Sequence, residues 1–284
     1  MFEGKPLTGD VAVVTGGGTG LGRSMALRFA ELGARVVVTS RALDNLEAVV
    51  NEISEKGGEA HAIACDVRDY GRVEEVAAEV ADRFGPTTIL VNNAAGNFLA
   101  PTETLSANAF NSVVGIVLNG SFHCTSVFGK QMIAAGNGGR ILSIVTTYAW
   151  MGSAFVVPSA CAKAGVLAMT RSLAVEWGRH KIRVNAIAPG PFPTPGAWEK
   201  LMPSPEFEAE AKRRNPSRRF GEHIELANLA AYLVSPYSDY INGECVVIDG
   251  GEWLMGGEFN HLATLPPEML AAMASKIRKP KKDG

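Results

Sequence analysis

Cysteine is scarce in this sequence. Cys65, Cys124, Cys161 and Cys245 are the only 4 among 284 residues, lie far apart and form no CxxC pair, which excludes a dense disulfide framework and a cysteine zinc site. The histidines His61, His123, His180, His223 and His261 are equally dispersed, so no metal centre is expected. Long apolar runs are missing: none approaches the ~20 residues needed to span a hydrocarbon core, and no basic apolar signal or Arg-rich transit segment opens the chain. An excess of one charge is absent as well. Lys and Arg number 27 against 29 Asp and Glu, which leaves no global positive field for nucleic acid. Any anionic ligand must therefore be bound locally. No repeat, low-complexity tract or Pro/Gly/Ser-rich break divides the sequence. Together these absences imply reduced thiols, a cytoplasmic location, no membrane insertion and one domain over residues 1–284.

What is present is a rhythm. Short β-branched runs at Asp10–Thr15, Arg35–Thr39, His61–Cys65, Thr88–Asn92, Arg140–Val145, Arg183–Ala188 and Glu244–Ile248 alternate with helix-length amphipathic stretches. Such alternation predicts an α/β fold: a doubly wound, Rossmann-type parallel sheet of about seven strands with helices on both faces. After Ala188 the rhythm breaks into Pro189-Gly190-Pro191-Phe192-Pro193-Thr194-Pro195-Gly196, too rich in proline for a helix or central strand, and becomes helical again near Glu206–Arg214. Residues 189–220 are expected to form a loop region that covers substrate.

The first strand runs into Thr15-Gly16-Gly17-Gly18-Thr19-Gly20-Leu21-Gly22 and then the helical Arg23–Leu32. A strand, a glycine turn and a helix in that order let backbone N–H groups approach a pyrophosphate at the positive end of a helix dipole. Gly16, Gly20 and Gly22 are the expected turn, approach and packing positions, with Gly18, Thr19 and Leu21 between them. The second strand ends at Ser40-Arg41, where NAD-selective folds place a carboxylate for the ribose hydroxyls. Arg41, with Arg23 in the glycine loop, favours the 2′-phosphate of NADP(H). Asp66, followed by Val67 after the third strand, can accept from an adenine amino group or cap the next helix. Asn93 follows the fourth strand beside small residues that admit a flat ring, and its amide can tie that strand to its neighbours.

The glycine loop, Asn92-Asn93-Ala94-Ala95-Gly96, Lys163, Pro189-Gly190 and Asp249-Gly250-Gly251 stand in the order and spacing of short-chain dehydrogenases/reductases, which the chain resembles over nearly its whole length. It departs from them at the acid. The usual Tyr-x-x-x-Lys reads Ser159-Ala160-Cys161-Ala162-Lys163, the assisting Ser falls on Thr146, and a helical Asn common in the family falls on Val117. Ser159 has no ionisation near neutral pH and a short reach, which argues against ordinary ketone reduction through it. Tyr148, just beyond the fifth strand, and Asn97, after Gly96, can instead supply two neutral donors to a thioester oxygen, an oxyanion-hole device suited to a conjugated acyl substrate.

That constellation is similar to the 2,4-dienoyl-CoA reductases. The matching segments are residues 93–98, Thr146-Thr147-Tyr148-Ala149, Gly152–Ala160, Asn185–Pro191, Asp249-Gly250-Gly251-Glu252 and Gly257-Glu258-Phe259-Asn260. The resemblance implies an NADPH-dependent enzyme of unsaturated fatty-acid β-oxidation, acting on acyl-CoA as a homotetramer and yielding a 3-enoyl-CoA. Tyr148 and Asn97 would hold a dienolate oxygen, Lys163 the nicotinamide ribose, and Ser159 would line the pocket, with water supplying the proton. Pro189, Gly190 and Phe192 would contact the cofactor. Arg68, Phe98 and Ser106 match acyl-CoA contacts, and Lys200 replaces an Arg there, keeping charge without bidentate geometry. Two alternatives stand beside this: a 3-oxoacyl or 3-hydroxyacyl thioester reductase, and an inactive NADP-binding sensor.

Overall fold

The computed structural model describes residues 3–194, 198 and 204–277. Its strands are β1 (Val11–Thr15), β2 (Arg35–Ser40), β3 (Ala60–Ala64), β4 (Ile89–Asn92), β5 (Gly139–Ile144), β6 (Ile182–Pro189) and β7 (Cys245–Ile248), each where the sequence pattern places one. They form one sheet in the order β3-β2-β1-β4-β5-β6-β7, with every neighbouring pair parallel. The strands read as unbroken apolar runs because both faces are covered.

Alternation along β1 shows the two layers. Ala12 and Val14 pack with Met25 and Phe29 of α1 (Gly20–Glu31), Leu46 and Val49 of α2 (Leu43–Glu55) and Leu226 of the helix His223–Val234. Val11 and Val13 point the other way, toward Val73 and Val76 of α3 (Tyr70–Phe84) and Cys124 and Phe128 of α5 (Gly120–Ala135). A third cluster joins Val113 of α4 (Ala107–Val114) to Val166 and Leu167 of α7 (Val157–Trp177), with the four-residue α6 (Tyr148–Met151) between β5 and α7. Strand order reverses between β1 and β4, so the carboxyl ends of these strands leave a crevice, the usual ligand position in such sheets.

One expectation needs correcting. Helix α4 continues through the π-helical turn Gly115–Asn119 into α5, making Ala107–Ala135 long and apolar enough to cross a membrane by length and composition. Its most apolar window is half buried, and Val113, Val117, Cys124, Val127, Phe128 and Met132 serve the core. The polar residues Asn111, Ser112, Asn119, Ser121 and His123 break the apolar run when it is scanned linearly.

Candidate active site

The glycine turn is built by contacts that tolerate no side chain. Gly16 has φ +63°, and a Cβ on Gly22 would lie 2.2 Å from the Gly16 carbonyl and 2.5 Å from Asn93 Nδ2. Asn93 braces the turn from the neighbouring strand: its Nδ2 donates to the carbonyls of Thr15 (3.0 Å) and Gly16 (3.1 Å), and its backbone N–H donates to Thr15 Oγ1 (3.0 Å). Its amide is thus occupied with the protein, and it shapes the crevice rather than facing it. Beside the turn lies a cavity of about 530 Å³ walled by Gly16, Thr19, Arg41, Asp66 and Val67. Ala94 and Ala95, the small residues expected after the fourth strand, line it too, and Thr39, Ser40, Ala42, Asn45, Cys65 and Ile116 complete it; periodicity alone does not distinguish Asn45, Cys65 and Ile116 from ordinary loop and core positions. Ile116 sits in the π-helical turn, whereas its neighbour Val117 is buried in the core.

Two arginines are placed differently from expectation. Arg23 reaches back to Glu52 of α2, with which it forms an ion pair, and does not line this cavity. Arg41 does line it. Arg68 is bound to Asp66 by a fork of bonds, Nε to Oδ1 at 3.0 Å and Nη2 to Oδ2 at 2.5 Å, and this pairing holds the Asp66 carboxyl below its usual range. Gly18 lies against Asn45, Gly20 against Thr194, and Leu21 against the core. Phe192 is buried, packed on Gly221 and lining a small cavity of about 70 Å³ with Pro191 and Asp249.

A second cavity of about 590 Å³ opens past β5 and β6 between Thr146, Tyr148, Pro189, Gly190, Arg214 and Glu252. The Tyr148 and Ser159 hydroxyls are hydrogen bonded at 3.0 Å. Ser159 is 2% exposed, so this bond is fixed by packing. One helical turn on, Lys163 is buried and its Nζ donates to the Ile144 carbonyl at the end of β5; desolvation lowers its pKa to about 8. Thr146 Oγ1 is shielded from solvent with no hydrogen-bond partner among the described residues, a polar atom that a bound ligand can satisfy.

Asn97 and Phe98 lie on an exposed stretch outside both cavities, tied to the segment before α7 by the Ala100 N–H donating to the Phe155 carbonyl at 3.0 Å. Phe155 holds φ +66°, a left-handed conformation costly for a bulky residue. Ser106 caps α4, its Oγ accepting from the Ala109 N–H at 3.1 Å. Lys200 lies outside the described residues. Within 189–220, β6 reaches Pro189, residues 190–194 are irregular, and a helix spans Pro205–Arg214. Arg214, Glu252 and Trp253 were not singled out by sequence reasoning, although Glu252 stands in the quoted Asp-Gly-Gly-Glu segment.

A family profile described as enoyl-(acyl carrier protein) reductase matches residues 16–252. The chain is 44% identical over 243 residues to a protein of Bacillus subtilis (strain 168) named probable 2,4-dienoyl-CoA reductase [(2E)-enoyl-CoA-producing], covering 85% of this chain and 96% of that one. It is 42% identical over 259 residues to probable 2,4-dienoyl-CoA reductase 3 [(3E)-enoyl-CoA-producing] of Caenorhabditis elegans, covering 90% and 82%. Among solved structures, a short chain dehydrogenase from Bacillus anthracis matches with a TM-score of 0.79 at 45% identity over 86% of this chain and 96% of that one. A gluconate 5-dehydrogenase from Burkholderia cenocepacia, solved with NADP and tartrate, matches with a TM-score of 0.81 at 29% identity, covering 87% and 96%.

Proposed function

Because the chain belongs to the short-chain dehydrogenase/reductase family of oxidoreductases, we propose that it is an NADPH-dependent 2,4-dienoyl-CoA reductase acting in the breakdown of unsaturated fatty acids. The observation that carries this is the Tyr148–Ser159 pair: the usual family acid is replaced by a buried Ser, and a Tyr from β5's end is held against it. The names of the relatives support the same substrate class. Trp150 and Met151 on Tyr148's own helix and Phe155 beyond it, with Phe98 and Leu99 in the segment bonded to Phe155, leave exposed apolar side chains of the kind an acyl chain requires.

The residues present fit a nicotinamide dinucleotide. The glycine turn leaves no Cβ beneath the pyrophosphate path, and the first cavity offers Asp66 to the adenosine end and Arg41 to a 2′-phosphate. When bound, the reduced nicotinamide supplies a hydride. Lys163 stands one turn beyond Ser159 to hold the ribose, its ammonium steadied by the Ile144 carbonyl. With Ser159 as the donor of the Tyr148–Ser159 pair, the Tyr148 O–H is left to donate to the substrate thioester oxygen, and Asn97, outside the cavity here, is the second donor. Two neutral donors stabilise the negative charge that gathers on that oxygen without protonating it. Arg68 meets CoA phosphate by exchanging its Asp66 partner for the ligand. The homotetramer is what the family resemblance implies; the apolar side chains left exposed on α5 and α7, Phe122 at 54% and Val175 at 85%, offer surface for association of copies without fixing their number.

The test is NADPH oxidation with a 2,4-dienoyl-CoA run beside a 3-oxoacyl-CoA and a plain 2-enoyl-CoA. Selective use of the diene is expected, with a 3-enoyl thioester as product. Turnover of the ketone alone would assign a carbonyl reductase, and binding without turnover a sensor. Product analysis also separates α-carbon from γ-carbon protonation, the difference between the two relatives' named products.

A further inference from the structure

Conjugate reduction needs a proton at carbon, and neither Tyr148 nor Lys163 is free to give one: the first holds the oxygen and the second the ribose. The wall of the Tyr148 cavity on the β7 side carries a different acid. Here the chain turns through Asp249-Gly250-Gly251 into the short 3-10 helix Glu252–Gly256. Both carboxylate oxygens of Asp249 are committed to that turn, Oδ1 accepting from the Gly251 N–H and Oδ2 from the Trp253 N–H, each at 2.8 Å. Asn215 Nδ2 donates to the Asp249 carbonyl at 2.8 Å, and a Cβ on Gly190 would meet Asp249 Cβ at 2.5 Å, so the turn is locked against β6. Trp253 then meets Trp150 of α6 edge to face, centroids 5.8 Å apart. This contact sets the turn beside the helix that begins at Tyr148.

Glu252 is what the arrangement leaves over. It lines the cavity with Thr146, Tyr148 and Arg214, and its carboxyl accepts no hydrogen bond among the described residues. Glu252 is exposed overall, but partial loss of hydration at the cavity wall raises its pKa, the Asp249 carboxylate raises it further, and Arg214 opposes them. The charged or titratable groups facing it are therefore Asp249 from its own turn, Arg214 from the helix Pro205–Arg214 and Tyr148 from α6. The residue also keeps surface open to solvent, a route by which an acid can recover its proton.

We propose, on the basis of the dienoyl-CoA reading above, that Glu252 is the general acid of the reaction, delivering its carboxyl proton to the substrate α-carbon in place of a water molecule. The balance is simple. Hydride from the reduced nicotinamide forms a C–H bond at the δ-carbon, and the displaced π electrons run to the thioester oxygen, giving a dienolate held by Tyr148. The electron pair of the enolate double bond between the thioester carbon and the α-carbon then takes the Glu252 proton: a C–H bond forms at the α-carbon, the carboxyl O–H breaks, the thioester C=O returns, and the β,γ double bond remains. The 3-enoyl thioester leaves, and Glu252 is reprotonated from solvent.

Glu252→Gln and Glu252→Asp, made in the full chain, test this with 2,4-dienoyl-CoA and NADPH. Loss of a general acid typically costs about 10²-fold or more in rate, so Glu252→Gln should lower kcat to that extent with NADPH affinity and the KM for dienoyl-CoA unchanged. Wild-type kcat should fall as pH rises through the Glu252 titration, that limb should vanish in Glu252→Gln, and Glu252→Asp should restore part of the rate. Wild-type kcat and pH profile in Glu252→Gln would overturn the proposal while leaving the dienoyl reading intact. A rate loss matched by loss of NADPH binding would also overturn it, since that is the mark of a structural residue. Wild-type enzyme that reduces only the 3-oxoacyl-CoA would overturn the dienoyl reading and Glu252's role with it.

Discussion

On the proposed dienoyl-CoA reading, Tyr148 and Ser159 trade the roles usual at their positions, and the 3.0 Å hydrogen bond between them lets the buried Ser support the Tyr. Removing the Tyr148 hydroxyl should lower kcat by about 10²-fold or more while NADPH binding persists, as loss of an oxyanion donor does. Steady-state kinetics and NADPH titration of Tyr148→Phe check this, and full turnover would exclude Tyr148 from the chemistry. Ser159→Ala should cost much less, because it only orients. Lys163 gives a stability signature. Its folded pKa of about 8 lies below the ~10.4 of an exposed lysine, so the unfolded chain binds more protons between those values. Stability of wild type relative to Lys163→Met should therefore rise as pH increases through that window and be flat below it. Urea denaturation across the series measures this, and a constant difference would mean that Lys163 is not desolvated.

At the scale of elements, the first cavity depends on β4 supporting the turn after β1. Asn93 supplies two side-chain bonds to that turn. Truncating it leaves the Thr15 and Gly16 carbonyls without them, at a cost of about 1–3 kcal/mol. Asn93→Ala should lower Tm and weaken NADPH binding together, by calorimetry and titration; unchanged affinity would show the turn to be rigid without its brace. On the proposed reading, the carboxyl end of β2 decides cofactor choice. With Arg41 on the cavity wall and Arg23 paired to Glu52, Arg41→Ala should shift preference from NADPH toward NADH by about tenfold or more, whereas Arg23→Ala should not. Equal effects of the two variants would restore Arg23 to the phosphate site.

Across the whole molecule, the two cavities sit at the carboxyl edge of one sheet, one beyond β1, β2 and β4 and the other beyond β5, β6 and β7. A parallel sheet brings these ends together whatever their separation in sequence, so that Gly16 and Glu252 serve a common edge. The exposed apolar side chains of α5 and α7 belong to this scale too. Val175→Glu should lower the assembly mass in sedimentation if that face joins copies of the chain, and an unchanged mass would place the contact elsewhere.

The sheet, its parallel strands, the glycine turn and the family were legible in the chain itself. They follow from local rules: buried strands must be apolar, and a turn with φ above zero and no room for Cβ must be glycine at Gly16 and Gly22. Ser159 and Lys163 were readable as neighbours one helical turn apart, whereas Tyr148, marked by the family resemblance, was expected to reach the pocket from the side opposite Ser159 and is instead hydrogen bonded to it. Which partner each charge takes was not readable. Arg23 with Glu52, Arg68 with Asp66, and Asp249 with its own turn are choices among many nearby groups, made by distances that only packing sets. Packing also buries the apolar helix Ala107–Ala135 against the sheet and leaves Glu252 without a hydrogen-bond partner among the described residues, facing Tyr148's cavity. Neither fact has a sequence signal, because burial and pairing depend on what the other elements bring to the same place.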